Sequence, residues 1–290
     1  MTRMTSLALA LATAAAMAVP AAAQQDFRWS GRIAPGQQIQ INNVKGDIRA
    51  EATSGSEVTV TAHPRGGRRG SVRVEMVRRE RGVVICAVYP SSGNRRWNRD
   101  DDDDDRGRPR DACDARGMNV DNDDASVDFV VRVPAGVKLA ARNVSGDVEI
   151  RGLRGPVDAR SVSGDVHVAS SGEVQASSVS GNVFAALGRI PSEGLEFRSV
   201  SGNVTLQLPA GIDADFHART LSGEIDSDFP LIVGGRGGRD ARRGRDDDDD
   251  DDRPRRHVRI GHDMRGQLGR GGPALSVTTV SGDVTLRRAR

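Results

Sequence analysis

Aromatic residues are scarce in this 290-residue chain: six Phe, two Trp and one Tyr make up 3% of it. Hydrophobic residues reach 37%, below the ~45–50% of ordinary globular chains. A large globular enzyme with an aromatic-filled core is therefore disfavoured. Cysteine is limited to Cys86 and Cys113, and neither has a second Cys or a His close by in sequence, which argues against zinc. Net charge is nearly absent, at +2, so the chain as a whole lacks a basic protein's attraction to nucleic acid. Beyond the leader no stretch is apolar enough to cross a bilayer, which takes ~20 residues. Glycine is the opposite case. Its 34 occurrences are too many for a helix bundle, where each would cost about 1 kcal/mol.

Residues 1–23 read as a secretory signal peptide. Arg3 gives a small positive region, Leu7 to Val19 an apolar one, and Ala21-Ala22-Ala23 a small-residue cleavage site before Gln24. Pro20 interrupts the apolar run, which argues against a membrane span. The mature chain is expected to be exported, periplasmic or extracellular, with no transmembrane segment. In that setting a lone cysteine pair favours a Cys86–Cys113 disulfide. The chain-entropy model gives such a loop ~3.5 kcal/mol.

The dominant feature is an octapeptide that recurs seven times. It runs Asn43-Val-Lys-Gly-Asp-Ile-Arg-Ala50, Asn143-Val-Ser-Gly-Asp-Val-Glu-Ile150 and Ser161-Val-Ser-Gly-Asp-Val-His-Val168. Ser178-Val-Ser-Gly-Asn-Val-Phe-Ala185, Ser199-Val-Ser-Gly-Asn-Val-Thr-Leu206, Thr220-Leu-Ser-Gly-Glu-Ile-Asp-Ser227 and Thr279-Val-Ser-Gly-Asp-Val-Thr-Leu286 follow. Its glycines are Gly46, Gly146, Gly164, Gly181, Gly202, Gly223 and Gly282. From Gly146 to Gly223 the steps are 18, 17, 21 and 21, and a period near 20 marks a repeat architecture. Gly155 and Gly172 fall halfway between phrase glycines, so each repeat is two strand-length segments punctuated by Gly.

Two short strands and two turns per repeat make one coil of a parallel β-solenoid, all-β, with 17–21 residues per coil. Each coil buries its apolar face only by stacking on its neighbours. Parallel crossovers are overwhelmingly right-handed, so a right-handed coil is expected. Reading the period of two straight through each phrase puts Val144, Val148 and Ile150 on one face. Val144, Val162, Val179, Val200 and Leu221 then form one interior column. Large aromatics should not fit this narrow interior. Phe27 and Trp29 should cover the N-terminal end, and Arg287, Arg288 and Arg290 should block growth at the other end.

Pro134-Ala-Gly-Val137 and Pro209-Ala-Gly-Ile212 each lead into a phrase like a turn before a strand. With the Val-Ser-Gly-Asp-Val phrases and the closing stretch from Gly266 to Leu286, they resemble the bacterial "putative adhesin" family. This is a domain of unknown function with repeated β-strands, also called the toastrack domain. The resemblance covers roughly residues 33–62 and 125–290. It implies an exported β-solenoid, a role at the cell envelope and no established catalytic residues, and some relatives are thought to accompany envelope-stress systems. Two charged insertions depart from the family pattern, and no cell-wall sorting signal or membrane anchor is read.

The insertions, at about 93–112 and 234–257, carry six aspartates from Asp100 to Asp105 and seven from Asp246 to Asp252, each flanked by arginines. Such blocks read as solvated, disordered acidic loops. Clustered carboxylates also suit Ca²⁺, which makes Asp100, Asp101, Asp102, Asp246, Asp247 and Asp248 weak metal candidates. The flanking arginines compete with the ion, and no EF-hand spacing occurs. Chemistry is otherwise thin. His167 should point outward, one coil from Glu149. His63 and His217 are isolated, and His257 and His262 have no recognised metal spacing. No G-x-S-x-G occurs.

One solenoid domain over residues 24–290 is therefore expected, without cofactor and without catalytic residues. The leading reading is a non-catalytic envelope or extracellular scaffold or adhesin. Its recognition surface would be the ladders Ser145/Ser163/Ser180/Ser201 and Asp147/Asp165/Asn182/Asn203, and its partner an envelope polysaccharide or protein. The alternatives are a polysaccharide-active β-helix enzyme and a weak calcium-binding surface protein acting through the Asp tracts. No nucleic-acid partner is expected, and the sequence sets no oligomeric state.

Overall fold

The computed structural model describes residues 26–67, 72–89, 113, 124–230 and 263–289. The leader and both aspartate tracts, including Asp100 to Asp102 and Asp246 to Asp248, lie outside the described residues. All regular structure within them is β, and no described helix is long and apolar enough to cross a membrane. The N-terminal strands are β1 (Phe27–Gly31), β2 (Gln38–Asn42), β3 (Ile48–Thr53), β4 (Val58–Arg65), β5 (Arg73–Arg79), β6 (Gly82–Val88) and β7 (Ser126–Pro134). The central ones are β8 (Lys138–Ser145), β9 (Val148–Leu153), β10 (Val157–Ser163), β11 (Val166–Ser170), β12 (Val174–Ser180) and β13 (Val183–Leu187). The rest are β14 (Leu195–Ser201), β15 (Val204–Leu208), β16 (Ala214–Ser222), β17 (Ile225–Ser227), β18 (Asp263–Leu268), β19 (Ala274–Ser281) and β20 (Val284–Arg288).

From β8 to β15 the chain alternates between two ten-stranded sheets, one strand in each per repeat. Equivalent strands pair in parallel and in register. Val157 lies between Leu139 and Val174, and Val166 between Val148 and Val183. This ladder follows from the side-chain pattern. In β10, Val157, Ala159 and Ser161 turn inward while Asp158, Arg160 and Val162 face out. In β11, Val166, Val168 and Ser170 turn inward. Each fully buried aliphatic contributes about 1.5–3 kcal/mol, and stacked coils bury them in one continuous core.

Aromatics do enter that core, contrary to expectation. Phe129, Phe197 and Phe216 are fully buried. Phe197 fits because its column neighbours are Ala176 and Val277, with Ala218 one rung further. Small residues beside it free the volume that the ring fills.

The sheets are mixed, not purely parallel. At the N-terminal end β4 pairs antiparallel with β7, β1 with β4, and β5 with β6. At the C-terminal end β18 pairs antiparallel with β16. Such strands end a stack because their pattern does not continue the parallel ladder. Phe27 and Trp29 on β1 pack against the core at the N-terminal edge, as anticipated.

The C-terminal end differs from the linear expectation. The last coil, β19 with β20, sits between β14/β15 and β16/β17. Arg287 and Arg288 therefore belong to an interior strand and do not cap the stack, and Arg290 lies outside the described residues. Arg287 instead lies 3.4 Å from Asp228, and the Arg288 guanidinium sits 5.3 Å over the Phe229 ring.

The phrase glycines make close backbone approaches from coil to coil. Gly164 has φ +151, and a Cβ on it would lie 2.1 Å from the Gly146 carbonyl oxygen. At Gly181 the corresponding distance to Gly164 is 2.2 Å. Gly181→Ala is accordingly expected to lose about 3 kcal/mol or more, measured by denaturant unfolding. A loss below about 1 kcal/mol would contradict this packing. The β18–β19 turn is clamped by Asp213, whose carboxylate accepts from the Arg270 backbone N–H at 2.9 Å and from its guanidinium at 2.9 and 3.1 Å. The backbone bond first, then the side-chain bond, holds the Asp213 pKa below its ordinary value. A depressed carboxylate stabilises above its unfolded pKa and loses that contribution as pH falls through the folded one. The Arg270 amide resonance should thus titrate with a midpoint below that of an ordinary aspartate. A midpoint at or above the ordinary value would show the clamp is not formed.

Candidate functional site

Each phrase turns a corner between the two sheets, and stacking converts its positions into columns. Five residues carry the geometry: an inward small polar residue, an outward aliphatic, a serine, the glycine, and an Asp or Asn. At the first position Ser161, Ser178, Ser199, Thr220 and Thr279 are buried. Their hydroxyls donate to the phrase-glycine carbonyl of the adjacent coil at 2.9–3.2 Å. Asn143 does the same with its amide, at 2.8 Å from the Gly46 carbonyl. At the fifth position the side-chain oxygen accepts a backbone N–H from the next coil. Asp147 accepts from Asp165 at 2.9 Å, Asp165 from Asn182 at 2.7 Å, and Asn182 from Asn203 at 3.0 Å. Asn203 accepts from Asp283 and Asp283 from Glu224, both at 2.8 Å. The Asp/Asn column is thus first a structural ladder, although it lies on the surface.

The second position overturns the expected interior column. Val144, Val162, Val179, Val200, Val280 and Leu221 are exposed, between 37% and 71% of their surface. The chain bends at the positive-φ glycine, so the period of two does not carry across it. Inward side chains lie at the first phrase position and again at the sixth, where Val148, Val166, Val183, Val204 and Val284 are fully buried. The signal was present in the first position, since a Ser or Thr turned inward forces the next residue out. At the N-terminal end Val44 is buried, and the Tyr89 hydroxyl donates to the neighbouring Lys45 carbonyl at 3.2 Å.

The ridge formed by these six side chains is flanked on both sides. Two residues before it on the same strands, Arg142, Arg160, Arg198 and Arg219 project outward, with Ser177 and Thr278 at the remaining rungs. Arg160 donates to Asp158 at 2.7 Å, and Arg198 pairs with Glu196. Beyond the corner serines lies the Asp/Asn column, which ends at Glu224.

The histidines do not converge on one site. His167 faces outward in register with Glu149, as expected, and its ring is 5.9 Å from Phe184. A hollow of about 190 Å³ beside it is lined by Asp47, Arg49, Asp147, Glu149 and His167. There Arg49 lies 2.8 Å from Asp47 and 3.7 Å from Glu149. His63 sits 2.9 Å from Asp26 and His217 3.3 Å from Asp263, each at a capping strand. His257 and His262 are outside the described residues, and among the described residues no three potential ligands group for a metal. Cys86 and Cys113 are disulfide-bonded, with Cα atoms 5.5 Å apart. With Val84, Val88 and the partly buried Val77 they form a small cluster that includes alternate residues of β6 and is separate from the main core.

Fold and corner together define an all-β stack of repeated two-strand coils with laddered corners. Residues 137–228, from the turn before β8 through β17, match the family model Toastrack DUF4097. No curated protein matches the chain. Among solved structures, a putative cell adhesion protein from Clostridium sporogenes is similar, at 9% identity and a TM-score of 0.39, over 91% of this chain and 100% of that one. A putative adhesin from Bacteroides fragilis is similar at 11% identity and 0.37, over 92% and 98%. Another from Parabacteroides merdae stands at 10% and 0.28, over 92% and 97%.

Three substitutions on adjacent phrase positions separate the roles. Ser178→Ala should cost about 1 kcal/mol, the worth of one lost hydrogen bond. Val179→Ser should fall within about 0.5 kcal/mol of wild type, as an exposed site does. Val183→Ala should cost about 2–3 kcal/mol through a core cavity. Chemical unfolding that ranks Val179→Ser with Val183→Ala would contradict the corner geometry.

Proposed function

We propose that this chain is a non-catalytic binding protein of the adhesin or scaffold type, acting outside the cytoplasm. The observation that carries the reading is the uninterrupted aliphatic ridge from Val144 to Leu221, with polar columns on either side. Contiguous exposed apolar surface rimmed by polar residues marks contact sites, and single Val side chains scattered over a surface would not. The secretory leader read at residues 1–23 and the Cys86–Cys113 disulfide support an exported, oxidising setting. The coils are taken to wind right-handed, as parallel crossovers do. The match to the toastrack family over residues 137–228 agrees with an envelope role. Within this reading the Ser145/Ser163/Ser180/Ser201 column supplies hydroxyls beside the ridge, and the partner is an envelope polysaccharide or protein.

The test is retention of the mature protein on purified cell envelopes. Wild type should be retained, and Val162→Asp with Val200→Asp should lower retention about tenfold, a normal loss for central contact residues, with unchanged circular dichroism. Unaltered retention in that variant, or envelope-glycan turnover abolished by His167→Ala, would overturn the proposal.

A further inference from the structure

The two columns that flank the ridge are complementary to each other, and this identifies a partner for it. On one side stand Arg142, Arg160, Arg198 and Arg219. On the other stand Asp147, Asp165, Asp283 and Glu224, with Asn182 and Asn203 between. The two series keep step. Arg142 shares a rung with Asp147, Arg160 with Asp165 and Arg219 with Glu224, while the neutral Ser177 shares one with the neutral Asn182. The remaining rungs pair Arg198 with Asn203 and Thr278 with Asp283, again donor with acceptor.

We propose that the ridge is a self-association surface whose occupant is a second copy of this chain, laid alongside in the same direction and in register. A two-fold axis parallel to the stack places aliphatic column on aliphatic column. The same operation lays the arginine column of each copy over the acidic column of the other. Such an isologous contact uses every pair twice. A two-fold axis across the stack is disfavoured, because it lays arginine on arginine along the whole length. An acidic glycan is a poorer fit, since it would engage the arginines but meet carboxylates and an aliphatic ridge beside them. Arg160 and Arg198 keep free donors beyond their bonds to Asp158 and Glu196, because a guanidinium carries five. Asp147 and Asp165 each keep a second carboxylate oxygen beyond the one that serves the ladder.

The contact is small. Six rungs at ~4.8 Å span about 24 Å, and a strip about 15 Å wide buries roughly 700 Å² over both copies, under the ~1,200 Å² of stable dimers. Association is therefore weak in solution and gains strength when many copies are displayed together.

This inference rests on the ridge being the contact surface, and its experiment separates the two. Sedimentation equilibrium of the full exported chain should show reversible dimers with a Kd on the order of 0.1–1 mM, weakening as salt rises. Val179→Asp should abolish them. Arg219→Glu and Glu224→Arg should each weaken association about tenfold, because symmetry doubles each repulsion. Both leave the ladder bonds accepted by Asp and Asn side chains in place. An equimolar mixture of these two variants should recover wild-type association, since both contacts in the mixed dimer are again of opposite sign. Failure of the mixture to recover, or a monomer at every concentration, overturns the second copy as partner. A monomeric chain that still needs its valines for envelope retention leaves the binding role standing. Dimers with ridge-independent retention overturn that role instead.

Discussion

Everything in this fold depends on how closely one coil can lie on the next at the glycine corner. The carbonyl of each phrase glycine points at the bare Cα of the glycine in the adjacent coil, where a Cβ would come within 2.1–2.3 Å along the run from Gly146 to Gly282. That same carbonyl accepts a buried hydroxyl from the adjacent coil. One backbone atom thus fixes both the spacing and the residue type at two positions. The octapeptide recurs because its contact is made with another copy of itself, so a change in one coil must suit two neighbours.

Much of this was legible in the chain. The phrase period and the two strands per repeat follow from the spacing of the glycines, and Cys86 and Cys113 are joined as their setting implied. Two features depart from the simple pattern for physical reasons. Alternation does not run straight through Gly146 and Gly164, because a bend at positive φ resets which side faces inward. The narrow interior admits Phe197 because its neighbour Ala176 makes the room. Neither the antiparallel caps nor the position of the last coil could be read from local residues. The segment from Thr279 to Leu286 is as good a neighbour for β14/β15 as the one from Thr220 to Ser227, and nothing in the phrase ranks them.

The candidate surface follows from the same economy. Packing requires the first, fourth and sixth phrase positions to be small polar, Gly and branched and turns the eighth inward, and the fifth carries the hydrogen-bonded ladder. The second is free of that demand, yet it is Val or Leu in all seven copies, and Val44 is the one that the chain itself buries. The arginines two residues earlier are likewise free of any packing role. Residue choices that internal contacts do not need are the ones that external contacts can use.

The interleaved placement of β19/β20 bears on how the molecule is made. A stack whose coils lay in chain order could zip up from the N-terminus as it emerged, each new rung settling on the last. Here the slot beside β14/β15 belongs to β19 and β20, so β16/β17 cannot reach their final neighbours until residues 274–288 have been made. The outer coil consequently docks only on a rung that is synthesised after it. A prematurely terminated chain would carry an unmatched rung in its place, with two interior ladders left open.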